Sequence, residues 1–502
     1  MQKRGRRPAP RRLSRRQFVR NTGLIALGAA LSPLACGGST TPAEPSSGWP
    51  HPNFDPHGTR ATFRSTISGD RVGDLREHWR YELPAGAPFG GAATTPVIVD
   101  GTVFAGDLLT NVHAVDLASG ERQWFAEVDS PVFGPSGVAV DSGRVFANFR
   151  GTGIAAYDSA GGSKLWDTGL LVNGGQVNIQ PVVADGIVLA ATTSLAVPGG
   201  RGTLYGLDAA DGEMVWSFDT IESEDLWGHP EINSGGGAWY PPAVDQQTGV
   251  AYWGTSNPYP FPGAPGFPNG SSRPGDNRWT NSLLAIDYRT GELRWGRQAV
   301  AHDLFDRDSV IAAVAEFDGR KVIVNTGKHG RVLGYSEDGE ALWETPVGLH
   351  QNDDVDSFEG PVAVLPGSVG GVETPIAVAD GVVYAAVVNA PSRYSGPEHP
   401  GRGQADMGTH NSQLVAVDCR DGEVLWDIEL PGDSFGGATT VNDLVFTSML
   451  SGEILAFRRD SGEQVWSYQA EGGINGWPAF AGDRVVVPVS FGDPPHLLAL
   501  RL

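Results

Sequence analysis

The chain has 502 residues, of which 69 are Gly and only 19% are charged; 58 acidic against 36 basic side chains leave it at −22. A Gly share about twice the usual, with so few charges, suits many short strands joined by tight turns and argues against a helical protein. The acidic balance excludes nucleic acid as a partner, because such a body repels phosphates instead of releasing their counterions, and two Cys exclude a disulfide scaffold.

Taken from the N-terminus, the first 35 residues hold nine Lys or Arg and no acid. Ser14-Arg15-Arg16-Gln17-Phe18 precedes an apolar run over residues 23–35 and then Cys36. Thirteen residues are too few to cross a bilayer as a helix but match the core of a signal peptide. The Ser-Arg-Arg-x-Phe string resembles a twin-arginine export signal, and Leu34-Ala35-Cys36-Gly37 resembles a lipobox, with Pro33 where such boxes usually carry Leu. The resemblance implies lipidation of Cys36 and membrane contact through that anchor alone; a cleavable signal with an incidental Cys is the alternative. The Ser/Thr/Pro-rich segment 37–48 reads as a flexible tether. The expected organisation is a signal peptide over 1–35, anchor and tether over 36–50, and a folded body over 51–502, exported to the periplasm or cell surface. Cys419, at a turn, is then the one remaining thiol and reads as inert.

The body is organised by a repeat. HAVDLASGERQW, AAYDSAGGSKLW, YGLDAADGEMVW, LAIDYRTGELRW and VAVDCRDGEVLW each place an Asp four residues before a Gly and the Gly four before a Trp: Trp124, Trp166, Trp216, Trp295 and Trp426. Two weaker copies end at Trp343 and Trp466, the latter with Arg458 in the Asp position, and Trp79 lacks the preceding phrase. Most intervals lie near the 40–50 residues of a propeller blade. Those ending at Trp295 and Trp426 are much longer and so carry insertions. The phrase reads as an alternating strand, a tight turn and a second strand bearing the indole. Such a unit buries both faces only by stacking on a neighbour, which predicts an all-β ring of eight blades. The C-terminal HLLALRL has a strand without a Trp and Trp79 has a Trp without its strand, so pairing the two chain ends is expected to close the ring.

Chemistry is expected in the insertions, of which residues 234–308 are the longest informative stretch. Its ordered strings are Gly-Gly-Gly-x-Trp ending at Trp239, Asn257-Pro-x-Pro, Arg273-Pro-Gly-Asp-Asn-x-Trp and His302-Asp-x-x-Asp306. With the repeats, Thr59-Arg60 and Thr-Gly-Lys328-His-Gly, they resemble the pyrroloquinoline quinone (PQQ) dependent alcohol and glucose dehydrogenases. That resemblance implies Trp239 as the floor under the quinone, and Asn257 and Asp306 as ligands of a calcium or lanthanide ion. It further implies Asp306 as general base and Lys328 as the cation on the quinone oxygens, with Asn389 and Asn178 as polar contacts to the cofactor. Asp308, two residues beyond Asp306, points the same way if the segment is a strand and would share the ion. Taken singly, Trp239 and Asn257 also read as structural, Lys328 as exposed, and the Asp303/Asp306/Asp308 cluster as a solvated loop; their joint order favours the site.

The chain also departs from that family. The family's metal-binding Glu would fall in 194–200, where no acid stands; its Arg for the cofactor carboxylates falls at Ser136; and its first-blade Glu falls near Ala93. Polar residues just before Pro at Asn178, Gln180, Glu373 and Asn475 are expected to face the axis, so Glu373 is either a replacement ligand or a rim carboxylate. The acidic run Asn352 to Asp356 lacks a calcium-loop Gly and reads as solvated. Two functions remain open. One is an exported quinoprotein oxidising an alcohol or sugar and passing electrons to an external acceptor, since no Cys-x-x-Cys-His occurs. The other is a cofactor-free lipoprotein scaffold resembling the propeller subunit of the barrel-assembly machinery.

Overall fold

The protein, as a computed structural model, is described over residues 48–171 and 175–502; the twin-arginine string and Cys36 lie outside them. Among the described residues, eight sheets with a four-stranded antiparallel core follow one another along the chain; the third is extended by Ser234–Gly236 and Pro258–Tyr259 and the seventh by Ala61–Thr62. In chain order, blades one to seven occupy 97–126, 138–167, 182–219, 243–298, 311–346, 377–430 and 439–469. Blade eight takes Ala479–Ala481, Arg484–Val489 and His496–Arg501 from the C-terminus and Arg76–Glu82 from the N-terminus. Arg76 pairs with Arg501 and Glu82 with His496, so the two chain ends close the ring as expected. First strands are mostly buried, as in Ala377–Ala379, whereas fourth strands such as Val424–Leu430 are largely exposed. The blades therefore run from a buried axis to a solvated rim, with apolar residues between them forming the cores.

The repeat phrase turns out to be a joint between blades. Asp116 shows the turn: its carboxylate accepts the N–H groups of Ala118 and Ser119 at 3.0 and 2.8 Å, while Gly120 N–H returns to the Asp116 carbonyl. Gly120 has φ +76, and a Cβ there would lie 2.7 Å from the ring of Trp79 in the preceding blade. The Gly is thus demanded twice, by its left-handed backbone and by the indole lying on it. Trp79 Nε1 then donates to Leu117 O at 3.0 Å, and Trp124, Trp166, Trp216, Trp295, Trp343 and Trp426 repeat the bond at 2.8–3.3 Å. Trp466 faces the seam, where the chain ends replace the turn, and packs against Phe446 and Tyr468 instead.

A segment that the repeat does not announce seals the axis. Residues 49–62 accept backbone N–H groups from blades four, five, six and seven: Val244 to Pro56 O, Val314 to His57 O, Val378 to Thr59 O and Thr440 to Arg60 O. Arg60 is fully buried and donates to Ala438 O, Pro478 O, Asn53 Oδ1, Thr95 Oγ1 and Thr439 Oγ1, which makes the Thr-Arg string a staple of the ring.

Candidate active site

A funnel of about 420 Å³ opens on the face of the ring that carries the blade-four and blade-six insertions. Its ionisable lining residues are Asp306, Asp308, Lys328, Glu373 and Arg402, above a floor of Trp239, Tyr240 and Trp477. Tyr240 stacks on Trp477 at 5.2 Å and its hydroxyl donates to Glu373 O at 2.6 Å.

Trp239 is delivered by the three glycines before it. Ser234–Gly236 pairs with the third strand of blade three, and a Cβ on Gly237 would lie 1.8 Å from Thr192 O, so only Gly lets the chain pass so close. Trp239 Nε1 then donates to Asp308 Oδ2 at 3.1 Å, which fixes the indole plane. Asp308 is the hub of the site. Its Oδ1 accepts Asn257 N–H at 2.6 Å, and its Oδ2 lies 3.1 Å from Lys328 Nζ.

Lys328 is buried, not exposed, and its ammonium lies 3.3 Å from Asp306 and 3.9 Å from Glu373 as well as 5.4 Å from the Trp239 ring centroid. Burial works against its charge, but Asp306, Asp308 and Glu373 outweigh that and hold its pKa above the ordinary value. Burial pushes Asp306 up to about 8 against the pull of Lys328, and pushes Glu373 up to about 7. Asp306 Oδ2 is buried with no hydrogen-bond partner among the described residues.

The sharing of the cluster by Asp306 and Asp308 does not arise from strand alternation. Residues 303–308 form a loop in which Asp306 has φ +63, and this left-handed residue aims its carboxylate inward. Asp303 stands behind the site: its carboxylate accepts Phe305 N–H, Arg307 N–H and Asn281 Nδ2 and so shapes the loop. Arg273, fully buried, donates to Pro260 O, Asn277 Oδ1 and Asp303 O, which gives the Arg-Pro-Gly-Asp-Asn string a structural purpose.

Asn178 lines the funnel and Asn257 Nδ2 is held by Pro258 O; among the described residues no donor reaches the Oδ1 of either. Glu373 joins the cluster through Lys328. Asn389 is not among the residues lining the funnel; its amide accepts Leu349 N–H and bonds Asn411 and Gln413. Gln180 also turns away, bonding Thr95 O and Val138 O between blades one and two. The wall where an acid was expected is Leu195 and Val197. No three His, Cys, Asp or Glu side chains converge as a ready metal cage among the described residues.

Comparison with known proteins places this arrangement. Residues 173–344 match the family described as "Glucose/ethanol/alcohol dehydrogenase, beta-propeller domain", and residues 109–233 and 407–500 match "Outer membrane protein assembly factor BamB". The quinohemoprotein alcohol dehydrogenase of Comamonas testosteroni is 25% identical over 88% of this chain and 72% of its own length. Quinohemoprotein alcohol dehydrogenase ADH IIB of Pseudomonas putida is 25% identical over 76% of this chain, and the match spans 64% of that protein. The crystal structure of the Comamonas enzyme superposes with a TM-score of 0.78 over 91% of this chain and 80% of the other, at 21% identity. BamB of Moraxella catarrhalis reaches 0.53 over 85% of this chain and 98% of its own, at 13% identity. Over most of its length the chain is thus similar, at about 25% identity, to quinoprotein alcohol dehydrogenase propellers.

Arg402 lines the funnel without being marked by any of the ordered strings. It comes from the blade-six insertion, far from every string that carries the resemblance, and its Nε lies 3.8 Å from Asp306 Oδ2. Its only signal was the length of that insertion. The described residues include no helix long and apolar enough to cross a membrane.

Proposed function

We propose that this propeller is an exported quinoprotein dehydrogenase that oxidises an alcohol or sugar and passes the electrons to an external acceptor. One observation carries the reading. Asp306, Asp308 and Lys328 converge beside an indole pinned by Asp308, and Asp306 Oδ2 is left buried without a hydrogen-bond partner among the described residues. A free buried carboxylate oxygen is costly unless a ligand uses it.

The residues present fit PQQ and a cation. Trp239 offers a flat face for a planar ring system, and Asn178 Oδ1 and the Lys328 ammonium offer polar contacts at its edge. Asn257 Oδ1, Asp306 and Asp308 would hold the calcium or lanthanide ion, with Glu373 completing the negative charge around it. When bound, PQQ supplies a two-electron acceptor whose carbonyl the cation polarises. The chain's own residues then do the rest. Asp306 accepts the hydroxyl proton of the substrate at Oδ2, while Lys328 balances negative charge accumulating at the floor. The aromatic floor excludes water from below.

The scaffold alternative is weaker. Its structural match is 0.53 against 0.78, and a cofactor-free scaffold has no use for three buried carboxylates gathered on one ammonium. The test is to add PQQ with calcium or a lanthanide to the purified protein and follow quinone absorbance and dye reduction over alcohols and sugars. Asp306→Ala is expected to abolish turnover while leaving PQQ bound. Absence of PQQ binding at micromolar concentration overturns the reading, and retained turnover in Asp306→Ala removes Asp306 as the base.

A further inference from the structure

The funnel has two cations, and they differ in what they have left to offer. Lys328 is buried and surrounded by three carboxylates. Arg402 is half-exposed, and no hydrogen bond among the described residues uses its guanidinium; its nearest carboxylate oxygen, on Asp306, stands 3.8 Å from Nε. The guanidinium spans the funnel mouth and lies 5.7 Å from the centroid of Phe133, on the loop between blades one and two. That loop also packs on Asn178, whose Oδ1 has no hydrogen-bond partner among the described residues, and it contains Ser136.

The backbone beneath Arg402 is built, not loose. Arg402 O accepts Ser368 Oγ at 3.2 Å, Gly401 N–H donates to Phe261 O at 2.7 Å, and Arg393 and Gln404 exchange both backbone bonds at 2.8–2.9 Å. Gly403 has φ +65, and a Cβ there would lie 2.7 Å from Arg393 O, so the turn that raises Arg402 over the funnel needs Gly. A rigidly based guanidinium, stacked on an aromatic face with its forked N–H groups free, is suited to a planar carboxylate held by two parallel bonds.

We propose that Arg402 is the carboxylate clamp of the funnel, binding an acidic edge of a planar aromatic polycarboxylate seated on Trp239. Naming that ligand as PQQ rests on the quinone reading above. The clamp supplies from blade six the cation that Ser136 does not supply from the opposite wall.

The test reads binding and not turnover. PQQ is titrated into the cofactor-free protein and followed by quenching of tryptophan fluorescence, for the wild type, Arg402→Gln and Arg402→Lys. Benzene-1,3,5-tricarboxylate is titrated into the same proteins by calorimetry, and the trimethyl ester of PQQ serves as the uncharged control. Loss of a charge-assisted bidentate contact is expected to weaken PQQ binding about 10–100-fold in Arg402→Gln. Arg402→Lys is expected to recover part of it, because a point charge lacks the fork. The ester should bind wild type and Arg402→Gln alike, and the melting temperatures should agree, since the side chain is half-exposed. Equal loss for acid and ester, or no loss at all, overturns the clamp. Arg402-dependent binding of benzenetricarboxylate without binding of PQQ keeps the clamp and removes the quinone reading; binding of neither by the wild type removes both.

Discussion

At the scale of single residues, the site is governed by one buried ammonium. Lys328 neutralises Asp306, Asp308 and Glu373, carboxylates from two different parts of the ring, at 3.1–3.9 Å. Removing one partner of a buried ionic cluster leaves the others uncompensated, which costs about 3–5 kcal/mol. Lys328→Met is therefore expected to lower unfolding free energy by that order in denaturant titration, although the substitution is apolar and of similar length. A change under about 1 kcal/mol would show that the cluster is solvated. These residues were named from ordered strings, but their grouping around one atom was not. The reason is that a loop residue with positive φ at Asp306 and a hydrogen bond from a distant indole to Asp308 decide it, and neither has a local signature.

At the scale of elements, the Asp-Gly-Trp phrase is an interlock and not a hairpin signal alone. Apart from Trp466 at the seam, each repeat indole closes on the turn of the following blade, through a carbonyl acceptor and through a Gly with no side chain in its way. Trp295→Phe keeps the ring but leaves Glu337 O without the indole donor it had at 2.8 Å, so a loss of about 1 kcal/mol is expected. Trp466→Phe should be nearly neutral in the same thermal or chemical denaturation, because no carbonyl accepts from its Nε1 among the described residues. Equal costs at the two positions would show that stacking area, not the interblade bond, holds the joint. The insertions obey different rules. The one in blade four is locked by fully buried Arg273, whereas the one in blade six sends Arg402 across to Phe133.

At the scale of the whole molecule, two devices keep a ring of repeats from opening. The first is the shared blade in which Arg76–Glu82 pairs with His496–Arg501. The second is the segment 49–62, which crosses beneath the funnel and satisfies inner-strand N–H groups of four blades. Arg60 is its anchor, fully buried with no carboxylate partner among the described residues, so that burial pulls its pKa down to about 9 while five oxygens hold it. Arg60→Met is expected to cost about 3 kcal/mol or more, since several buried acceptors lose their donor together. Hydrogen exchange should quicken first in Thr439–Val441 and the strands it touches; uniform exchange across all blades would mean that the segment merely fills space.

The ring is legible in the chain alone: its eight blades, their order and the seam follow from fixed spacings among Asp, Gly and Trp, because backbone pairing and indole stacking are local to one blade and its neighbour. The chain also named Trp239, Asn257, Asp306, Asp308 and Lys328, since those lie in ordered strings. Only the tertiary structure decided that Asn389 and Gln180 turn away from the funnel, that Asp303 stands behind it, and that Arg402 enters it. Those outcomes depend on which side chains meet across the axis from blades hundreds of residues apart, and such meetings leave no period or spacing in the chain.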